Sequence, residues 1–146
     1  MRQRSTVTDP PDVETGFENL THEECLRLLT TQRVGRIGVT VAALPVILPV
    51  NFRLLGESIV FRTIPGTKLD AATNKAVVAF EVDGHEPDGR SGWSVLVIGH
   101  AARLLGADVA RAEALDLEAW PLDGRASHFV SIGAFQISGR RFNRSR

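Results

Sequence analysis

Apolar residues recur at every second position through most of this chain, and a period of two commits a sequence to strands with one buried face. "LPVILPVNFRLL" shows it best. Val46, Leu48, Val50, Phe52 and Leu54 form one face, opposite Ile47, Pro49, Asn51 and Arg53. "RIGVTV" precedes it across a tight Ala42-Ala43 connection, and "SIVFRT" returns antiparallel after a turn at Gly56-Glu57. "AVVAFEVD" is a fourth strand, and the polar loop "GHEPDGRSG" leads to "WSVLVIGHAARLL", expected to be the longest. "HFVSIGAFQISGRRF" supplies one or two more, for six or seven short strands at hairpin spacing. Such a set closes into an antiparallel barrel, which removes its own sheet edges. Pro49 lacks a ladder donor and is expected at a bulge. Gly35 and Gly38 are expected to relieve strain at a bend.

Helices are few. Thr21-His-Glu-Glu24 is a capping box, and Cys25, Leu28 and Leu29 share the buried face of a helix ending near Thr31. A short helix is expected around Leu69 to Thr73. Another runs from a cap at Asp108 to about Leu117, closed by Trp120-Pro121. Residues 1–17 are polar, carry a Pro-Pro pair and read as a flexible N-terminal tail. Residues 18–142 form one domain, and 143–146 a C-terminal tail.

Composition removes several function classes. A formal net charge of zero argues against a dedicated nucleic-acid binder, and nine aromatics without tyrosine offer few stacking surfaces. One cysteine rules out an internal disulfide, and no apolar run approaches a membrane span or a signal core. The expected location is the cytoplasm. His22, His85, His100 and His128 lack metal-ligand spacing, so no metal site is expected. No hydrolytic constellation is present, and "VGRIGV" is not a dinucleotide fingerprint.

"FRTIPGTKLDAATNK", from Phe61 to Lys75, has the look of a phosphate loop. Its threonine precedes the lysine and no glycine stands at the Walker distance, so the phosphate is not that of a nucleoside triphosphate. Arg62 offers a planar two-donor fork and Lys68 a point charge at a helix start. On their own, two such residues make an ordinary solvated turn.

The ordered set "GRIGV", "LPVILPVNF", "IVFRTIPGTKL", "VVAFEVD", "GWSVLVIGHA" and "ISGRR" resembles the pyridoxamine 5'-phosphate oxidase-like family, the flavin-binding split β-barrels, over about Leu20 to Arg141. The resemblance implies a mainly β fold with short helices, an antiparallel split β-barrel. It also implies a homodimer with FMN sites at the subunit interface. Arg62, Thr63, Thr67 and Lys68 would take the phosphate and nearby ribityl oxygens. Pro49, Val50 and Asn51 would flank the ring, Trp93 and Ser94 would approach from the partner subunit, and Arg140 would lie near the site. Trp93 serves equally as a core cap, and a structural hydrogen bond would also explain Asn51.

The family covers several chemistries, so the substrate and any catalytic acid or base stay unassigned. The vitamin B6 oxidases carry a longer C-terminal segment with a tryptophan, whereas this chain ends "FQISGRRFNRSR". The leading expectation is an FMN-dependent oxidoreductase. The alternatives are an F420-dependent reductase, for which a wider basic groove including Arg36 or Arg53 would speak, and a non-catalytic flavin or haem carrier or sensor.

Overall fold

The computed structural model describes residues 16–117 and 126–143. Of the expected tails at 1–17 and 143–146, residues 1–15 and 144–146 lie outside the described residues, as does the helix closure at Trp120-Pro121.

The described residues form eight strands and three short helices, in the order β1 (Phe17–Asn19), α1 (His22–Leu29), β2 (Val34–Val41), β3 (Leu44–Asn51), β4 (Arg53–Leu55), β5 (Ser58–Thr63), α2 (Lys68–Ala72), β6 (Ala76–His85), β7 (Ser91–Arg103), α3 (Ala107–Glu113) and β8 (His128–Asn143). All strand pairs are antiparallel and lie in one sheet of order β3-β2-β6-β7-β8-β5-β4, with β1 on the far half of β8. β3 and β4 therefore stand at opposite ends of the sheet, yet only Phe52 separates them in the chain. One residue spans a few ångströms, so the sheet has to curl until its ends meet. That closure is the split barrel.

Phe52 sits at the seam with 1% of its surface exposed, its ring edge-on to Phe80 at 5.0 Å. Its N–H donates to the Arg33 carbonyl at 3.0 Å, the last rung of the β2–β3 register, and from Arg53 on the chain pairs with β5 instead. The expected one strand is thus two. The alternation itself holds: Val50 and Phe52 are buried while Ile47 and Pro49 are exposed. Inside lie Ile37, Val39, Phe61, Phe80, Val82, Val95, Val97 and Ile132, all nearly inaccessible. α1 packs on β7 and β8, and its capping box forms as expected: Glu24 N–H donates to Thr21 Oγ1, and Thr21 N–H to Glu24 Oε1. Cys25 is buried on that face, and burial, with Glu24 beside it, pushes its thiol up to about 11. It is a packing residue.

Several expectations are corrected. Pro49 lies opposite Arg36 in an unbroken ladder; β3 is an edge strand, so its missing N–H costs no bond. The irregularity lies instead between Ile98 and Gly99, where Phe135 of β8 has no partner on β7. Gly35 makes room for an aromatic ring rather than a bend: a Cβ there would lie 2.3 Å from Phe80 Cζ. The longest strand is β8, of 16 residues. Asp108 lies inside the first turn of α3, whose cap is Gly106. Phe17, assigned to the tail, pairs with Phe142.

Phe52→Ala should cost about 3–5 kcal/mol through the cavity it leaves. Chemical denaturation would measure this, and a loss below 1 kcal/mol would show that the seam does not depend on this ring.

Candidate functional site

Three adjoining clefts follow one rim of the barrel. The largest, about 510 Å³, lies between α3 and the ends of β7 and β8, lined among others by Arg62, Arg103, Glu113, Asp116, Ser127, His128 and Phe129. A second, about 150 Å³, shares Arg103 and His128 with it and reaches Asp70 and Asn74 of the α2 region. A third, about 270 Å³, shares Asp116 and Leu117 with the first and ends at Arg33, Asn51 and Arg53. Four arginines thus line a discontinuous groove from the end of β3 to α2.

Neighbouring residues of a strand point to opposite faces, and this separates the expected phosphate ligands. Arg62 faces α3. Its Nε donates to Ser127 Oγ at 2.8 Å, its Nη1 donates to the Leu117 carbonyl at 2.9 Å, and the guanidinium lies 5.1 Å from the Phe129 ring centre. Thr63 faces the other way and is 2% exposed, donating to Asp70 Oδ1 at 3.1 Å. Thr67 caps α2: its Oγ1 accepts from Asp70 N–H and donates to the Ile64 carbonyl. Of the four, Lys68 alone is exposed and makes no hydrogen bond or ion pair among the described residues. The loop geometry is therefore held by Thr63 and Thr67, with Lys68 left facing solvent.

Asp70 is the hub that the sequence reading missed. It accepts from Thr63, from the Gly66 N–H at 3.1 Å, and stands 2.5 Å from His128 Nε2. Burial raises its carboxyl, but the Gly66 and Thr63 bonds and the histidine outweigh it and hold the group below its ordinary value. Its place three residues after Thr67 is a capping-box position, a signal the sequence did contain. His128 faces Thr63 across the β5–β8 ladder, which no local pattern reveals.

The remaining expected residues are spread. Val50 is in the core, so only its backbone is available, whereas Pro49 is exposed and Asn51 lines the third cleft. Trp93 lies on the inner face, packed against the core over Gly84, which is the core-cap alternative. Ser94 and Arg140 are opposite each other across β7 and β8, and Arg140 lies 4.9 Å from the Phe17 ring centre. Ten steps along β7 lead from Trp93 to Arg103, roughly 33 Å at strand rise. Within one chain the two groups are at opposite ends of the barrel. Arg53 belongs to the groove, but Arg36 is on the outer face, shared by Glu81 and Asp83 at 3.4 Å each. Among the described residues no cluster of His, Cys, Asp or Glu could hold a metal ion, and no helix is long and apolar enough to cross a membrane.

Comparison with known proteins gives a consistent picture. The family model for pyridoxamine 5'-phosphate oxidase matches residues 21–141. A solved structure of the FAD binding protein from Mycobacterium smegmatis is 37% identical, with a TM-score of 0.78, over 88% of this chain and 100% of that one. A conserved protein of unknown function from Corynebacterium diphtheriae is 30% identical, with a TM-score of 0.71, over 87% and 98%. An uncharacterised protein of Mycobacterium tuberculosis is 38% identical over 58% of this chain, and the match spans 59% of that relative's length.

The Asp70 geometry predicts an acid response. A carboxyl held below its unfolded value of 3.8 stabilises the fold above that pH, and the contribution fades as the pH falls through the folded value. Asp70→Asn should lower stability at pH 7 and flatten the acid limb of stability against pH. An unchanged limb in urea titrations from pH 7 to 3 would remove Asp70 from that role.

Proposed function

This chain belongs to the pyridoxamine 5'-phosphate oxidase family, and from that premise we propose that it is a flavin-binding oxidoreductase whose cofactor lies along the arginine-lined rim. The observation that carries the reading is the rim itself: Arg33, Arg53, Arg62 and Arg103 in adjoining clefts, with Lys68 exposed nearby. A flavin phosphate is an anion that guanidinium and ammonium donors favour, and a flavin ring can accept the backbone and amide donors at the Asn51 end. The donor set fits. FMN is the form expected from the sequence. FAD joins it because the relative at 37% identity is named a FAD binding protein.

In this reading Lys68 holds a phosphate without assistance from Thr63 or Thr67, whose hydroxyls are already bonded within the loop. Arg62 fixes the wall of the cleft through Leu117 and Ser127 and presents its remaining donors to the ligand. Asn51 and the backbone of Pro49 and Val50 border the ring. When bound, the flavin supplies the hydride and electron transfer, and the protein supplies position and charge. The acceptor or donor substrate is not specified by these residues.

We propose further that two chains assemble. Ile47, Val77, Leu96 and Phe135 are 72%, 60%, 41% and 57% exposed. The strand registers set Ile47, Gly38, Ala79 and Ile98 in one row across that outer face. An apolar face of this kind favours burial. A two-fold axis lying in that face and perpendicular to β7 would exchange the two barrel ends. It would bring Ser94 and Arg140 of one chain toward the Lys68 rim of its partner.

The purified protein should show a flavin spectrum, or bind FMN or FAD saturably in titration; no binding of either would defeat the reading. Lys68→Ala should weaken flavin binding by about tenfold without changing stability, as loss of one charge-assisted contact does. Light scattering should give twice the monomer mass, and Ile47→Asp should halve it. A wild-type monomer with full flavin occupancy would contradict the assembly.

A further inference from the structure

The Ala42-Ala43 turn decides which backbone groups of β3 face outward. Both residues have positive φ, 50° and 66°, as a two-residue type I′ hairpin requires. The flanking residues of such a hairpin, here Val41 and Leu44, form a hydrogen-bonded pair, and bonded and non-bonded pairs then alternate along the ladder. The bonded pairs are therefore Val39 with Val46, Ile37 with Leu48 and Gly35 with Val50. The Phe52 N–H bond to the Arg33 carbonyl is the next of that series. Pro45, Ile47, Pro49 and Asn51 stand in the non-bonded pairs, so their backbone groups point away from β2. Among the described residues no strand pairs with β3 on that side.

An open edge is a template for another strand. This one is self-complementary: a two-fold axis at Ile47 would set Pro45 of one copy opposite Pro49 of the other. Leu44 and Ile47 are 66% and 72% exposed, which adds apolar surface in favour of such a contact. Both prolines, however, fall on outward positions, where each deletes a donor that the incoming strand would need. At Val46 or Leu48 a proline would instead have broken the β2–β3 ladder. We propose that Pro45 and Pro49 close the β3 edge to a second copy of this chain. The inference is independent of the flavin reading and of assembly through the outer face.

The test compares light-scattering mass over a concentration series for wild type, for Pro45→Val combined with Pro49→Val, for Pro45→Ala and for Thr40→Val. The double variant restores both outward donors, and its mass should reach at least about twice that of wild type at equal concentration. Pro45→Ala restores one donor and should show a weaker rise that dilution reverses. Thr40 is exposed on β2 opposite Pro45, so Thr40→Val adds a valine beside the edge without adding an edge donor, and it should leave the mass unchanged. Amide hydrogen exchange reads the edge directly: the Ile47 N–H should exchange fast in wild type, while those of Val46 and Leu48 are slow. A wild-type mass in both proline variants, an equal rise in Thr40→Val, or a slow Ile47 amide in wild type would overturn the proposal.

Discussion

Everything in this molecule depends on a covalent constraint: the two end strands of the sheet are consecutive in the chain, with Phe52 alone between them. An open sheet of this order would have to stretch one residue across its whole width. Curling solves that, and the alternating apolar faces of β2, β3 and β5 to β8 supply the interior that makes curling favourable. The Phe52 ring then occupies the junction against Phe80, while Gly35 keeps a Cβ out of the space that the Phe80 ring fills. Sequence proximity and spatial closure are the same fact here.

The rim inherits its chemistry from that closure. The end of β3 brings Asn51, the start of β4 brings Arg53, the end of β5 brings Arg62, and the β7–β8 ends bring Arg103 and His128. None of these is near another in sequence except across the seam. Their side chains divide between two sheet faces, so on the β5–β8 pair Arg62 faces the α3 side while Thr63, on the opposite face, meets the Asp70 carboxylate of α2. Asp70 organises its side through three partners, and Arg62 organises the other through Ser127, Leu117 and Phe129. On the outer face, Glu81 is partly buried beside Asp83, and burial first, then that neighbour, pushes it up to about 7 against the pull of Arg36.

Much of this was legible in the residues. The strands, the Thr21 capping box, the buried Cys25 and the split-barrel class follow from period, capping chemistry and an ordered set of segments. What was not legible depended on long-range pairing. The Thr63–His128 opposition, the burial of Thr63 and the turn of Arg62 toward α3 are set by which strand lies beside β5, and local pattern carries no such information. Pro49 was misplaced for a related reason: a strand containing proline reads alike whether its free side meets a bulge or meets no strand. The sequence reading named Lys68 together with three neighbours, because spacing shows which residues are close and not which hydroxyls are already bonded.

β8 keeps a record of how so long a strand stays faithful to one interior. Val130 and Ile132 point inward at even positions, whereas Ile137 and the buried Gly139 do so at odd ones. The change of parity occurs at Phe135, the residue without a partner, since Ala134 meets Gly99 and Gln136 meets Ile98. An insertion or deletion elsewhere in β8 would turn every residue beyond it to the wrong face. Removal of Phe135 would leave all of the pairings intact and only straighten the strand. We therefore expect length variation among related chains to be confined, within this strand, to that one position; a relative with a second such change and the same register would show otherwise.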